Sequence, residues 1–211
     1  MNSFLAQSVR GIKAPVLEAV RSPDPSDTVL FGNRIPRDFF ISKGTGESDI
    51  CVHAGSYHLA LRSAGIERCN IITYSSILPA VAQEVVRPDA LVHGSVMETI
   101  MAVANSECNS RATAGIMWGW LHSKVSGERY GGLVCEYSGT LETNDAEQQL
   151  HDSLEELYTN GYSEDFSLVE VRRVLESFVP TKRFGTAVVT LCFLNYIWPV
   201  LESNSLLACQ G

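Results

Sequence analysis

The stretch "ALRSAGIERCNIITYSSILP", residues 60–79, changes character twice. Ala60, Leu61 and Ala64 recur at helical spacing and stop at Gly65, the residue type best able to take the left-handed closing position of a helix. "CNIITYS" then reads as a strand, rich in β-branched and aromatic residues. It ends on Ser75–Ser76, the one Ser-Ser pair in the chain, followed by Ile77 and then Pro79. Taken alone, that pair is an ordinary polar end to a strand.

Upstream, "RDFFISKG" (37–44) reads as a strand ending at Gly44, and "GTGESD" (44–49) as a glycine-rich turn. Its glycines lack the spacing and lysine of a phosphate-binding loop, and its acids would repel phosphate. "GSYHLALRSAG" (55–65) is a short helix. "RSPDPSD" (21–27) is a linker of turn formers, which places residues 1–27 in an arm and starts the compact domain at residue 28, running to 197. Arg10, Lys13 and the apolar residues around them resemble part of a transit peptide, but Pro15 interrupts the pattern, and a docking arm is the plainer reading. Residues 198–211 form a tail without a signal.

Downstream, "LVHGSVMETIMAVAN" (91–105), "RATAGIMWGW" (111–120) and "GGLVCEYSG" (131–139) read as strands, with "SGERYGG" (126–132) as a turn. "NDAEQQLHDSLEELYTNGY" (144–162) is a helix capped by Asn144 with Glu147 three residues on, burying Leu150, Leu154 and Leu157 and stopping at Asn160–Gly161. "SLVEVRRVLESFV" (167–179) predicts a second helix, and "FGTAVVTLCFLNY" (184–196) a last buried strand. Strands, then helices, then a strand indicate an α+β fold with mostly antiparallel sheet.

Of 211 residues, 45% are apolar and 19% charged, enough for a sizeable core. A net charge of −8 argues against a nucleic-acid partner, whose footprint should be basic. Cysteines at 51, 69, 108, 135, 192 and 209 and histidines at 53, 58, 93, 122 and 151 show no metal-site spacing, so no metal is expected. Cys135 and Cys192 sit in apolar runs as small hydrophobes. Without a signal peptide or a membrane-spanning run, the expected compartment is the reducing cytoplasm, with no membrane partner.

Residues 60–79 resemble the self-cleavage region of the pyruvoyl-dependent arginine decarboxylases: a helix ending in A-G-I, an Asn, four residues, a Ser-Ser pair, then an aliphatic residue and a nearby Pro. "GTGESD", "VHGSVMETIMA", "GIMWGWLHSKVSGERYGGLVCEYSG" and "KRFGTAVVTLCFLNY" agree in order, so the resemblance covers roughly residues 38–196 and is strongest to the chlamydial branch. It implies a four-layer αββα sandwich, assembled as a homotrimer of cleaved protomers or a dimer of trimers, with active sites between neighbouring subunits and an amino acid as substrate, L-arginine converted to agmatine and CO2.

It also implies roles. Ser76 is the source of a covalent pyruvoyl cofactor: its hydroxyl attacks the Ser75 carbonyl, and elimination separates residues 1–75 from 76–211. Asn70 is the candidate oxyanion or positioning donor. The pyruvoyl ketone condenses with the substrate amine and withdraws electrons as the carboxylate leaves. Glu136 matches the acid that returns a proton. Leu61, Cys69 and Ile77 line the pocket by family position. Read without the family, Asn70 is a turn residue, Glu136 faces solvent on a strand, and the three pocket residues are core.

One position departs from the pattern. Counting back from Ala64-Gly65-Ile66, the Asp expected to receive the substrate guanidinium is His58. Neutral imidazole offers one acceptor where a carboxylate accepts two parallel N–H bonds. Glu47 or Asp49 in the loop upstream could supply the charge, or the substrate is another amino acid, or the chain is a non-catalytic relative that binds or scaffolds. His58 could equally be an ordinary helix residue.

Overall fold

The computed structural model describes residues 28–30, 34–198 and 200–202. Residues 34–197 form one unit, and the described residues outside it belong to a second. In chain order the strands and helices are β1 (Thr28–Leu30), β2 (Ile35–Pro36), β3 (Asp38–Ser48), α1 (His58–Ala64), β4 (Asn70–Thr73), β5 (Ile77–Pro79) and β6 (Gln83–Glu84). They continue with β7 (Val96–Glu107), β8 (Ala112–Ser123), β9 (Arg129–Gly139), α2 (Thr143–Gly161), β10 (Phe166–Phe178), β11 (Phe184–Phe193), β12 (Tyr196–Ile197) and β13 (Val200–Glu202). A π-helical turn, Val52–Tyr57, leads into α1. β1 and β13 pair antiparallel as the second unit's ladder. The expected arm, and residues 199 and 203–211 of the expected tail, lie outside the described residues.

The main unit has a five-stranded sheet, β4-β7-β11-β3-β6, and a four-stranded sheet, β10-β8-β9-β5. The long pairings are antiparallel, and only β3·β6 and β4·β7 run parallel. Neighbouring residues on a strand point to opposite faces, and this chain fills both faces with apolar groups. Phe39, Val189 and Trp118 enter the core between the sheets. Their neighbours Phe40 and Val188 enter a second core under α1, with Leu61, Ile66 and Met97. Met117, beside Trp118, enters a third under α2, with Leu121, Leu133, Leu150 and Leu154. Three cores separated by two sheets make four layers, αββα, as the resemblance implies. Leu150 and Leu154 are 1% and 2% exposed, each contributing about 2 kcal/mol by leaving water.

Four local expectations change. β3 does not stop at Gly44 but runs through "GTGES" to Ser48. The glycines there serve close packing instead of a turn: a Cβ on Gly46 would lie 2.3 Å from the Ser56 carbonyl oxygen and 2.4 Å from the Ala60 nitrogen. Helix α1 therefore rests directly on strand backbone. Gly65 does take the left-handed closing position, at φ 74°. The turn expected at 126–132 falls earlier, because β9 already begins at Arg129.

Helix α2 begins at Thr143 with Glu142 as its cap residue and no side-chain cap. The Asn144 capping box does not form, since Glu147 instead meets Arg173 at 2.7 Å. The segment expected as a second helix, 167–179, is strand β10, paired along β8. Its register breaks between Val169 and Arg172, where Glu170 has φ 53°. Before the break odd-numbered Val169 faces the inter-sheet core, and after it even-numbered Val174 and Phe178 do, while Leu168 and Leu175 face α2. The irregularity flips the strand's parity and spaces its apolar residues by three and four, which imitates a helix. Among the described residues, no helix is long and apolar enough to cross a membrane.

Candidate active site

Ser75 and Ser76 lie where the chain leaves one sheet for the other. Before them, the Tyr74 N–H donates to the Thr99 carbonyl on β7 at 2.6 Å. After them, the Ser76 carbonyl accepts the Val134 N–H of β9 at 3.0 Å, and Ile77 pairs with Leu133. The Tyr74 ring packs against Phe193 with centroids 5.6 Å apart. The crossing is thus clamped at both ends.

Two contacts bear on the bond between the serines. The Ile77 N–H donates to the Ser75 carbonyl oxygen at 3.0 Å, so a donor already sits where negative charge would develop on attack. The Ser76 hydroxyl donates to Glu136 on β9, 3.0 Å to Oε2 and 3.3 Å to Oε1. The Glu136 carboxyl tip reaches solvent, yet packed protein around it makes ionisation costly, and burial raises its pKa above the usual carboxylate range. The Ser76 hydrogen bond opposes that rise by favouring the charged form. Next to it, burial pushes the Cys135 thiol up to about 11, which keeps it protonated.

A cleft of about 640 Å³ opens beside α1, lined by His53, Tyr57, His58, Leu61, Glu67 and Asn70 among others. Cys69 also lines it, with Sγ 3.3 Å from Ser95 Oγ. The Asn70 side-chain amide donates to the Gly94 carbonyl at 3.0 Å, and its backbone N–H to Ser95 at 2.7 Å. His58, Leu61, Cys69 and Asn70 therefore share this cleft, while Ser76 and Glu136 meet at the sheet crossing. Ile77, half exposed on β5, lies outside the cleft lining.

Glu47 and Asp49 are engaged elsewhere. Glu47 accepts the Thr181 and Lys182 N–H groups at 2.8 and 3.2 Å, which hold its pKa below the ordinary value, and Asp49 accepts the Arg183 N–H at 3.2 Å. Both carboxylates pin the β10–β11 loop to the end of β3. The Ile77 and Val134 amides and the cleft residues Tyr57 and Glu67 are not marked in the sequence. Backbone donors leave no mark on side-chain patterns, and a turn residue such as Glu67 carries no periodicity to show where it points.

A family model described as pyruvoyl-dependent arginine decarboxylase matches residues 38–197. The chain is 29% identical over 191 residues to pyruvoyl-dependent arginine decarboxylase AaxB of Chlamydia pneumoniae, covering 80% of this chain and 95% of the relative. It is 35% identical over 120 residues to the protein of that name from Chlamydia abortus, covering 51% and 61%. With pyruvoyl-dependent arginine decarboxylase of Methanococcoides burtonii it shares 42% identity over 74 residues, covering 32% and 38%. The family match begins at the first residue of β3, ends with β12 and spans the serine crossing, Glu136 and the cleft: the chain belongs to the pyruvoyl-dependent arginine decarboxylase family, whose cofactor is a covalently bound pyruvoyl group.

Proposed function

We propose that the chain cuts itself between Ser75 and Ser76, and that the matured protein converts L-arginine to agmatine and CO2. The observation that carries this reading is the held geometry of the serine pair, with the Ser76 hydroxyl on Glu136 and the Ser75 carbonyl on the Ile77 N–H. Attack by Ser76 Oγ forms a C–O bond to the Ser75 carbonyl carbon as the C–N bond breaks, and the hydroxyl proton passes to the released nitrogen. That shift from amide to ester is uphill, and the Ile77 N–H offsets part of the cost by stabilising the oxyanion. Elimination then removes the Cα proton of residue 76 and breaks its Oγ–Cβ bond, which releases the Ser75 carboxylate and leaves a dehydroalanine that takes up water and loses ammonia.

Position 76 fits a pyruvoyl group. Its carbonyl is fixed by Val134, its side chain faces Glu136, and it is only partly exposed. The group supplies a ketone for the substrate amine and a sink for the electrons left when CO2 departs. Glu136 holds the proton that the substrate α-carbon takes up, and loss of the Ser76 hydroxyl on maturation removes the one side-chain hydrogen bond that had favoured its ionised form. Asn70, tied to Gly94 and Ser95, positions the strand leading to the serines.

A homotrimer, singly or as a dimer of trimers, completes the site. Asn70 and Ser75 are five residues apart on an extended segment, roughly 16 Å, farther than one arginine reaches. A cleft in one copy therefore serves position 76 of its neighbour. Ile72 and Ile77 beside the crossing, and Val96 opposite Asn70 at the cleft end of β4, are each around half exposed and support burial by another copy.

His58 in the cleft favours a second reading, the same chemistry on another amino acid. Intact mass of the purified protein tests the processing, and turnover of arginine, lysine, ornithine and histidine tests the substrate. A single uncut chain that ignores carbonyl reagents sinks the first reading. Arginine as sole good substrate sinks the second.

A further inference from the structure

Resting on the function proposed above, the cleft beside α1 carries an assignment of its own: we propose that Glu67 receives the cationic end of the substrate, a guanidinium, in place of the missing carboxylate at position 58. Among the described residues that line this cleft, Glu67 is the one carboxylate. Glu47 and Asp49 are spent on backbone N–H groups of the loop at 181–183. Glu67 makes no such bond among the described residues. Its partner is the Nε of Arg68 at 3.6 Å, and Arg68 is 63% exposed. An ion pair that loose and solvated is worth little, so an incoming guanidinium displaces it at small cost.

The turn that carries Glu67 is held in place before any ligand arrives. The Cys69 N–H closes it onto the Ile66 carbonyl at 3.1 Å, and Ile66 is fully buried. The Gly94 N–H donates to the Arg68 carbonyl at 2.7 Å, and the Asn70 side chain returns to the Gly94 carbonyl. The Glu67 side chain is 24% exposed, enough to meet a ligand and enough enclosed for its charge to be felt. Tyr57 in the same cleft supplies an aromatic ring beside which a planar cation can pack, and Leu61 and Ile71 offer apolar contact for a methylene stem. Carboxylate, aromatic face and apolar wall in about 640 Å³ suit an amino acid with a long cationic side chain.

The test uses agmatine and L-arginine on the full chain, comparing wild type with Glu67→Gln and Glu67→Asp. Calorimetry should show agmatine binding weakened about tenfold or more in Glu67→Gln and partly recovered in Glu67→Asp, since each charged hydrogen bond lost is worth about a factor of ten. KM for arginine should rise by about the same factor with kcat within about twofold. L-citrulline, the neutral isostere, should not distinguish wild type from Glu67→Gln. Equal agmatine affinity in wild type and Glu67→Gln, or no agmatine binding to wild type, overturns the assignment. Chain scission reports separately: an uncut wild type defeats the proposed reaction, while agmatine calorimetry still decides the role of Glu67. Unchanged melting of the variants excludes a folding effect.

Discussion

Ser76 and Glu136 are 60 residues apart in sequence and joined by a hydroxyl-to-carboxylate hydrogen bond of 3.0 Å. The bond joins the residue that leads into β5 to the neighbouring strand β9, and the register of the two strands sets Ile77 opposite Leu133. It binds the candidate nucleophile of self-cleavage to the candidate acid of turnover, so the two roles can be separated by substitution.

Replacing Ser76 by Ala removes the nucleophile and should leave one chain of 211 residues, with decarboxylase activity abolished. Wild type should run as two pieces on a denaturing gel and as one species under native conditions. The piece ending at Ser75 contributes β3, α1 and β4, and the other contributes β7 and β11, which hydrogen-bond to β3 and β4 within one sheet. Dissociation of the pieces in native buffer would contradict this.

Glu136→Gln keeps an oxygen that can accept the Ser76 hydroxyl but has no proton to return to the substrate. Scission should therefore still occur, while kcat falls by about 100-fold or more. The pH dependence has a definite sign. Burial raises the carboxyl pKa in the folded protein, so the protonated form persists above the ordinary range and activity declines as pH rises through that raised value. By linkage, this carboxyl contributes stability below its unfolded pKa, and the contribution is lost as pH rises through the folded one. A pH–rate profile without that alkaline limb in wild type would remove Glu136 from the role.

Much of this fold is legible in the chain because its long strands are buried on both faces. "TAGIMWGWL" and "GTAVVTLCF" read as continuous apolar runs, and both are central strands. The misreading of 167–179 has one cause, a register break at Val169–Arg172 that converts an alternating pattern into a helical one. "GTGES" misleads for the opposite reason: glycine there answers to the helix lying on it, a tertiary fact with no local signal. At the site, Ser75–Ser76 stands out only through its resemblance to a family, since no spacing rule links residue 76 to residue 136. The parting of His58 and Asn70 from Ser76 within one chain is set by the path of β4 along the sheet.

The contact of α1 with β3 gives a sharp stability test. At Gly46 the three nearest neighbours of an added Cβ are all backbone, with the Ser56 oxygen at 2.3 Å, the Ala60 nitrogen at 2.4 Å and the Leu59 carbonyl carbon at 2.7 Å. None of these three can swing away as a side chain would. Gly46→Ala should cost about 3 kcal/mol or more, the upper range for overpacking, and lower Tm by roughly 6–12 °C. Because α1 lines the cleft, agmatine affinity should fall with it. A variant that melts like wild type would show that α1 does not sit against this strand.

Glu47 offers a test of electrostatics away from the chemistry. Its carboxylate accepts the Thr181 and Lys182 N–H groups, and those bonds lower its pKa in the folded state. A depressed pKa means that the stabilisation is present above the unfolded value, about 4.3, and is lost as pH falls through the folded one. Glu47→Gln should therefore lower Tm at pH 7 by about 1–2 °C, a small effect because the carboxylate is solvated. The gap between variant and wild type should narrow as pH falls below about 4.3 and close once wild-type Glu47 is protonated. Melting curves of both proteins across that range decide it: a gap that stays constant with pH would assign the contact to geometry and remove charge from the explanation.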